Sequence, residues 1–216
     1  MKRLLALLCA GFAACFSVNA QTNSVPSTEA PTQTVETVVC FRHAEKPPDA
    51  LGQLTCRGLN RSLALPKVLL GKFGTPQFLF APSPTEKVDQ EKNKDGYYYV
   101  RPLATIEPTA IRCGLPVNTQ FGYSDIHGLE DELQKPEYRN ATIFVVWEHL
   151  KLVDFVKAMV NDHGADPGDV KAWPHKDYDT IYVVKITRSP GHEHVAFTIG
   201  HENLNNLSDT CPEAAK

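Results

Sequence analysis

The sequence predicts an α/β fold, a three-layer α/β/α sandwich built on a mostly parallel central sheet. Three observations carry that expectation. Thr37-Val38-Val39-Cys40-Phe41 and Thr142-Ile143-Phe144-Val145-Val146-Trp147 are apolar runs without alternation, suited to strands buried on both faces. Segments of helical spacing, such as Leu152, Val153, Val156, Met159 and Val160, lie between runs of this kind. Strand and helix alternate through most of the chain, which favours parallel strands joined by crossover helices.

At 216 residues, the chain holds enough material for one domain with a sizeable core. A net charge of -3 argues against a general nucleic-acid binder, while leaving local basic pockets open. The apolar runs exclude disorder throughout. Glycines and prolines follow no period, so collagen-like and repeat architectures fail.

Lys2 and Arg3 precede the apolar run Leu4 to Phe16, with small residues at Val18-Asn19-Ala20. A basic start, an apolar core too short to span a bilayer and a small-residue exit predict a secretory signal peptide over 1–20, cleaved after Ala20. The expectation is a periplasmic or secreted protein with no stable membrane insertion once the signal is removed. Lipid attachment at Cys15 is disfavoured because Phe12 is a poor fit to the usual aliphatic position. Residues 21–36, rich in Thr, Ser, Pro and Gln, read as a disordered lead-in. The domain is expected over 37–216. Cys40, Cys56, Cys113 and Cys211 remain after cleavage, and the sequence does not choose among their three pairings.

Along the mature chain, Thr37 to Phe41 is the first strand. Thr55 opens a helix whose Leu59, Leu63, Leu65, Val68 and Leu69 form the apolar face, interrupted at Pro66 and ended near Gly71 and Gly74. Gln77 to Ala81 is the next strand, and Glu86 to Gly96 reads as a solvated loop. Arg101-Pro102 begins a helix that stops at Cys113-Gly114. Val117 to Tyr123 is a weaker strand, Ile126 to Gln134 a short helix, Thr142 to Trp147 the clearest strand and Leu150 to Val160 a helix closed by His163-Gly164. Thr180 to Ile186 and Val195 to Ile199 are final strands, joined through a Ser189-Pro190-Gly191 turn.

In open sheets of this kind the functional groups gather beyond the carboxyl ends of the strands. Two places stand out: Arg42-His43-Ala44-Glu45-Lys46 after the first strand, and Trp147-Glu148-His149 at the end of the clearest one. A lone histidine at a strand end is most often structural. Two delivered to one edge, with an arginine beside the first, point to a shared site.

Val39-Cys40-Phe41-Arg42-His43-Ala44-Glu45-Lys46 resembles the strand and RHG motif of the histidine phosphatase (phosphoglycerate mutase-like) superfamily, with Ala44 in place of the usual Gly. Leu54 to Ser62 resembles that family's LTxxGxxQA helix, and Arg101-Pro102-Leu103-Ala104-Thr105 the helix of its second arginine. Val145 to His149 is similar to the strand that presents its second histidine. The resemblance implies a phosphoglycerate mutase-like fold and a phosphatase acting on a small phosphorylated substrate, with inorganic phosphate as product and no cofactor or metal. It implies that His43 attacks phosphorus, that Arg42 and Arg101 hold the phosphoryl oxygens, and that His149 donates to a non-bridging oxygen. Arginine forks suit phosphate because they match its oxygens bidentately.

Arg57 is a further candidate for phosphate contact, ahead of Arg61, and both also fit a solvated helix face. The proton donor is expected among Asp125, Glu130 and Glu148, in that order; Asp125 equally fits an N-cap. Glu45 is read as ordering Arg42 or meeting substrate, with a solvated pair to Lys46 the alternative. Tyr97-Tyr98-Tyr99 line a substrate mouth or anchor a loop. His192, Glu193, His194 and His201 read as surface residues near a turn. No P-loop, GxSxG or Cys-x5-Arg pattern occurs. The rival reading is a non-catalytic phosphate-binding module on the same fold, favoured by Ala44 and the uncertain acid; a phosphomutase ranks below both.

Overall fold

The computed structural model describes residues 33–48, 52–90 and 93–213. The expected signal peptide, and the lead-in as far as residue 32, lie outside the described residues.

Strand β1 (Thr34–Arg42) runs through the middle of a five-stranded sheet and starts three residues before the expected Thr37. From Val38 to Phe41 it is fully buried, because both of its neighbours and both faces are covered. On one side it pairs in parallel with β5 (Thr142–Trp147), which pairs in parallel with β2 (Phe78–Phe80). On the other it pairs antiparallel with β6 (Thr180–Ser189), and β7 (His192–His201) pairs antiparallel with β6. The order is β2-β5-β1-β6-β7, so every strand except β6 points the same way.

Alternation along β1 sorts the two cores. Val39 and Phe41 enter the layer containing Leu65 and Leu69 of α1 (Cys56–Phe73) and Ile106 and Ala110 of α2 (Arg101–Cys113). Val38 and Cys40 enter the opposite layer, with Leu129 of α3 (Ile126–Leu133) and Val156 of α4 (His149–Asp162). Helices therefore cover both faces, as a sheet of this kind requires.

The helix ends follow their residues. Thr55 accepts from the Gly58 N–H as N-cap of α1. Gly114, in the left-handed region, closes α2. The expected face of α1 is corrected: Leu59 and Leu63 are 37% and 53% exposed, while Gly58, Arg61 and Ser62 are buried. The first half of that helix packs on polar backbone and carboxylates, so its leucines do not mark its buried side.

Three further expectations change. Residues 86–96 are not a loop: β3 (Lys87–Gln90) and β4 (Asn93–Tyr98) form a hairpin with an irregular register between Val88 and Gln90. Its buried apolar content is Val88 and Tyr97, packed with Tyr99, too little to show a period in the sequence. Val117 to Tyr123 is not a strand and makes a single bridge, Asn118 to Phe80. The β6–β7 turn is confined to Pro190-Gly191, so His192 and His194 lie in β7 on exposed positions. Cys56 and Cys211 form a disulfide, while Cys40 and Cys113 are free thiols.

Candidate active site

The parallel register of β1 and β5 sets Arg42 opposite Trp147. One step further the His43 N–H donates to the Trp147 carbonyl (3.0 Å), so the two strands deliver His43 and, after Glu148, His149 to one edge. Both histidines line a cleft of about 710 Å³, together with Arg42, Arg101 and Glu148. Arg101 arrives from the start of α2, where the Gly52 carbonyl accepts from its backbone N–H (2.8 Å) and from that of Val100 (3.1 Å).

The loop after His43 is fixed from two helices. The Ala44 N–H donates to Thr105 Oγ1 (2.9 Å), whose hydroxyl donates to the Arg101 carbonyl (2.7 Å). The Glu45 carbonyl accepts from the Thr55 N–H (2.9 Å), and a Cβ on Gly58 would stand 2.4 Å from that same carbonyl oxygen. The Thr-x-x-Gly spacing at 55–58 thus has a physical meaning: a cap and a close approach that seat α1 against the loop after His43.

His43 is almost fully buried. Its Nδ1 lies 2.8 Å from the Ala44 carbonyl, which only accepts, so Nδ1 carries the hydrogen and Nε2 the lone pair. Arg101 Nε donates to that Nε2 at 3.2 Å. Burial, then the Arg101 and Arg42 charges, hold the imidazole well below its ordinary range, and the ring is neutral. A neutral imidazole with one nitrogen tied back is a nucleophile.

The two guanidinium groups are held by carbonyls and rings. Arg42 Nη1 donates to the His175 (2.7 Å) and Asp177 (3.0 Å) carbonyls, and its guanidinium lies 4.0 Å over the Tyr178 ring. Arg101 Nη2 donates to the Tyr97 hydroxyl (3.0 Å), and its guanidinium sits 4.5 Å over Tyr99. Neither touches a carboxylate among the described residues. Arg42 Nε and Arg101 Nη1 are buried with no acceptor among the described residues. Uncompensated buried cations of this kind call for an anion.

The other predicted residues divide. Glu148 lines the cleft, but its Oε2 caps α4 by accepting from the Leu150 (2.9 Å) and Lys151 (3.0 Å) N–H groups. Burial pushes its carboxyl up, yet His149 and those N–H groups outweigh burial and leave it below the usual carboxylate range. Asp125 is not brought to the cleft: it is exposed and caps α3 through the Gly128 N–H (3.2 Å). Glu130 faces His127 on α3 (3.0 Å) instead. Arg57 reaches the chain's end, donating to the Asn205 carbonyl (3.1 Å). Both carboxylate oxygens of Glu45 take Arg61 (2.8 to 3.1 Å), and among the described residues it makes no ion pair with Arg42. Arg61, ranked below Arg57 from sequence, is 1% exposed and also meets Glu202 and, at 3.8 Å, Asp179.

His149 departs from its expected engagement. Its Nδ1 lies against Glu148 Oε1 at ion-pair range, without hydrogen-bond alignment, and its Nε2 faces His175 Nδ1 at 2.9 Å. His175, Lys176 and Tyr178, which line the same cleft, were not singled out from sequence. They lie on a loop between Trp173 and β6 that has no apolar period, so nothing local marked them. Tyr97 and Tyr99 resolve as ring supports for Arg101.

No protein-family model matches the chain, and no curated protein matches it in sequence. Solved structures do. A mycobacterial glucosyl-3-phosphoglycerate phosphatase superposes with a TM-score of 0.51 at 11% identity, over 76% of this chain and 97% of its own. A proposed phosphohistidine phosphatase from Nakamurella multipartitia gives 0.47 at 17% identity, over 70% and 85%. A phosphoglycerate mutase from Plasmodium falciparum gives 0.45 at 9% identity, over 85% and 98%. Together with the β2-β5-β1-β6-β7 sheet and its two helical layers, the first of these matches shows that the chain has a phosphoglycerate mutase-like fold.

Proposed function

We propose that this protein is an exported phosphatase that hydrolyses phosphate monoesters through a phosphohistidine on His43. The observation that carries the reading is the pairing of two buried guanidinium groups, neither bound to a carboxylate among the described residues, with the lone pair of a buried neutral imidazole. A phosphate monoester fits that arrangement. Its dianion replaces Arg101's contact to His43 and takes up the spare N–H groups, while His43 Nε2 meets phosphorus. As the N–P bond forms, the P–O ester bond breaks and the alcohol leaves with a proton. Water then attacks the phosphohistidine, releases inorganic phosphate and restores the His43 lone pair.

A cleft of about 710 Å³ suits a small phosphorylated molecule. Export is supported by the basic-apolar-small leader and by the Cys56–Cys211 disulfide, a bond that persists in oxidising compartments. Glucosyl-3-phosphoglycerate phosphatase, among the proteins of like fold, acts on a phosphorylated small molecule, in keeping with this class of substrate.

The test is phosphate release from an aryl phosphate by the mature protein, with labelled phosphate trapped on the chain by rapid quenching. Release and label, both abolished by His43→Ala, support the enzyme. One observation favours the binding module: among the described residues lining the cleft the only carboxylate is Glu148, already committed as a cap. Phosphate binding without release from any ester decides for the module.

A further inference from the structure

The cleft holds a histidine that the reaction above leaves without a role. His175 lines it, and its backbone is fastened there, since the carbonyl accepts from Arg42 Nη1 (2.7 Å). The segment behind it is equally fixed: Asp177 accepts from the Asp179 (2.8 Å) and Thr180 (3.1 Å) N–H groups, and Trp173 Nε1 donates to the Asp177 carbonyl (3.2 Å). The ring is therefore presented by a built loop that shares an anchor with the phosphate-binding arginine.

The His149 contact fixes which nitrogen of His175 is left to act. His149 Nε2 faces His175 Nδ1 at 2.9 Å, and the two share one hydrogen whichever ring donates it. His175 Nδ1 is thereby engaged, and its Nε2 is the nitrogen left to exchange a proton with a bound ester. No other imidazole or carboxyl among the described cleft residues is so placed. His43 is the nucleophile, His149 Nε2 is taken up by His175, and Glu148 is held ionised and caps α4.

We propose that His175 is the proton donor to the leaving group, with His149 Nε2 engaging its Nδ1; this rests on the phosphoryl transfer proposed above. While His43 Nε2 bonds to phosphorus and the ester P–O bond breaks, the proton on His175 Nε2 passes to the departing oxygen, which leaves as the alcohol. His175 is then neutral and keeps its Nδ1 hydrogen on His149. In the second step His175 Nε2 takes a proton from the attacking water, and breaking of the N–P bond returns the lone pair to His43. Both the acid and the nucleophile are restored, so the cycle balances without a further reactant. An imidazole suits the task because it exchanges a proton near neutral pH.

The experiment compares wild type, His175→Ala and His175→Gln on esters graded by leaving group, from dinitrophenyl phosphate to alkyl phosphates. The quantity read is kcat/KM, which reports the step that releases the alcohol. A dinitrophenolate departs without a proton, so both variants should keep its turnover within about threefold, which also shows that they fold. Alkyl esters need the proton, and both variants should lose ~10²–10³-fold. Gln keeps a polar contact to His149 but cannot cycle a proton, so it should behave as Ala does. An equal loss across the series, or none, overturns the assignment while His43-dependent turnover leaves the phosphatase standing. A wild type that hydrolyses no ester removes both.

Discussion

Arg101 Nε donates to His43 Nε2 at 3.2 Å, so the second arginine of the cleft bonds the very lone pair that would attack phosphorus. The contact holds the ring in one orientation and, with burial, keeps it unprotonated. On the proposed mechanism it also ties substrate entry to activation, because an anion drawing Arg101 onto its own oxygens would uncover Nε2.

Replacing Arg101 tests both halves of that relationship. Arg101→Gln and Arg101→Lys each remove the guanidinium fork and should lower kcat/KM by ~10²–10³-fold on an aryl phosphate. The acid limb of the profile separates them. The Arg101 charge disfavours the His43 imidazolium, so removing it raises the His43 pKa and shifts the acid limb to higher pH. Lys keeps the charge and should leave the limb near its wild-type position. Profiles that move equally in both variants would show that charge is not what keeps His43 neutral.

Much of this site was legible because two sheet-central strands carry it. A strand buried on both faces must be a continuous apolar run, and Val38 to Phe41 and Ile143 to Trp147 are such runs, so Arg42-His43 and Glu148-His149 stood out as their first polar residues. The rest depended on contacts far apart in sequence. Arg57 and Arg61 lie one turn apart on α1 and read alike. Only the carboxylates of Glu45, Asp179 and Glu202 distinguish Arg61, and two of the three flank the β6–β7 hairpin, far away in sequence. His175 has meaning only through His149, 26 residues away on another element.

Gly58 makes a sharp prediction about the nucleophile loop. A Cβ there would stand 2.4 Å from the Glu45 carbonyl oxygen, a backbone atom tied to Thr55. Gly58→Ala must push α1 and the loop apart, with a loss of ~1–3 kcal/mol of stability. Since Glu45 follows the His43-Ala44 pair directly, kcat should fall as well. Denaturant melts and turnover measured below the transition check the two effects. Gly71→Ala, where a Cβ meets nothing within 4 Å, is the control that should leave both intact.

Glu202 sets a pH dependence of stability. It is 2% exposed and shares Arg61 with Glu45 and Asp179, and burial pushes its carboxyl up to about 8 despite the pull of Arg61. An unfolded glutamate ionises near pH ~4.3. Below that value both states are protonated and nothing is lost. Above it the unfolded chain releases the proton while the folded one keeps it, so stability declines until the folded carboxyl ionises near pH 8. Inside this window the slope is at most about 1.4 kcal/mol per pH unit. Glu202→Gln stays neutral and still accepts from Arg61, so its stability relative to wild type should rise between pH 5 and 8. Wild-type and variant curves that remain parallel across that range would refute the assignment.

The disulfide should hold the end of the chain against the helix that seats this loop. Cys56 opens α1 and Cys211 lies 155 residues later, so the bridge closes nearly the whole domain into one loop. In the chain-entropy account a loop of that length is worth on the order of 2–5 kcal/mol, mainly by restricting the unfolded ensemble. The tail has other anchors: Asn60 Nδ2 donates to the Ser208 (3.0 Å) and Thr210 (2.8 Å) carbonyls, and Arg61 to Leu204 (3.1 Å). Those bonds are local to the folded state and remain after reduction. A Cys56→Ser, Cys211→Ser double variant should therefore melt well below wild type yet retain most of its turnover at temperatures where it is folded, and reductant should lower the wild-type melt to meet it. Turnover lost with the fold intact would mean instead that the bridge, rather than Arg61 and Thr55, positions the Glu45 end of the nucleophile loop.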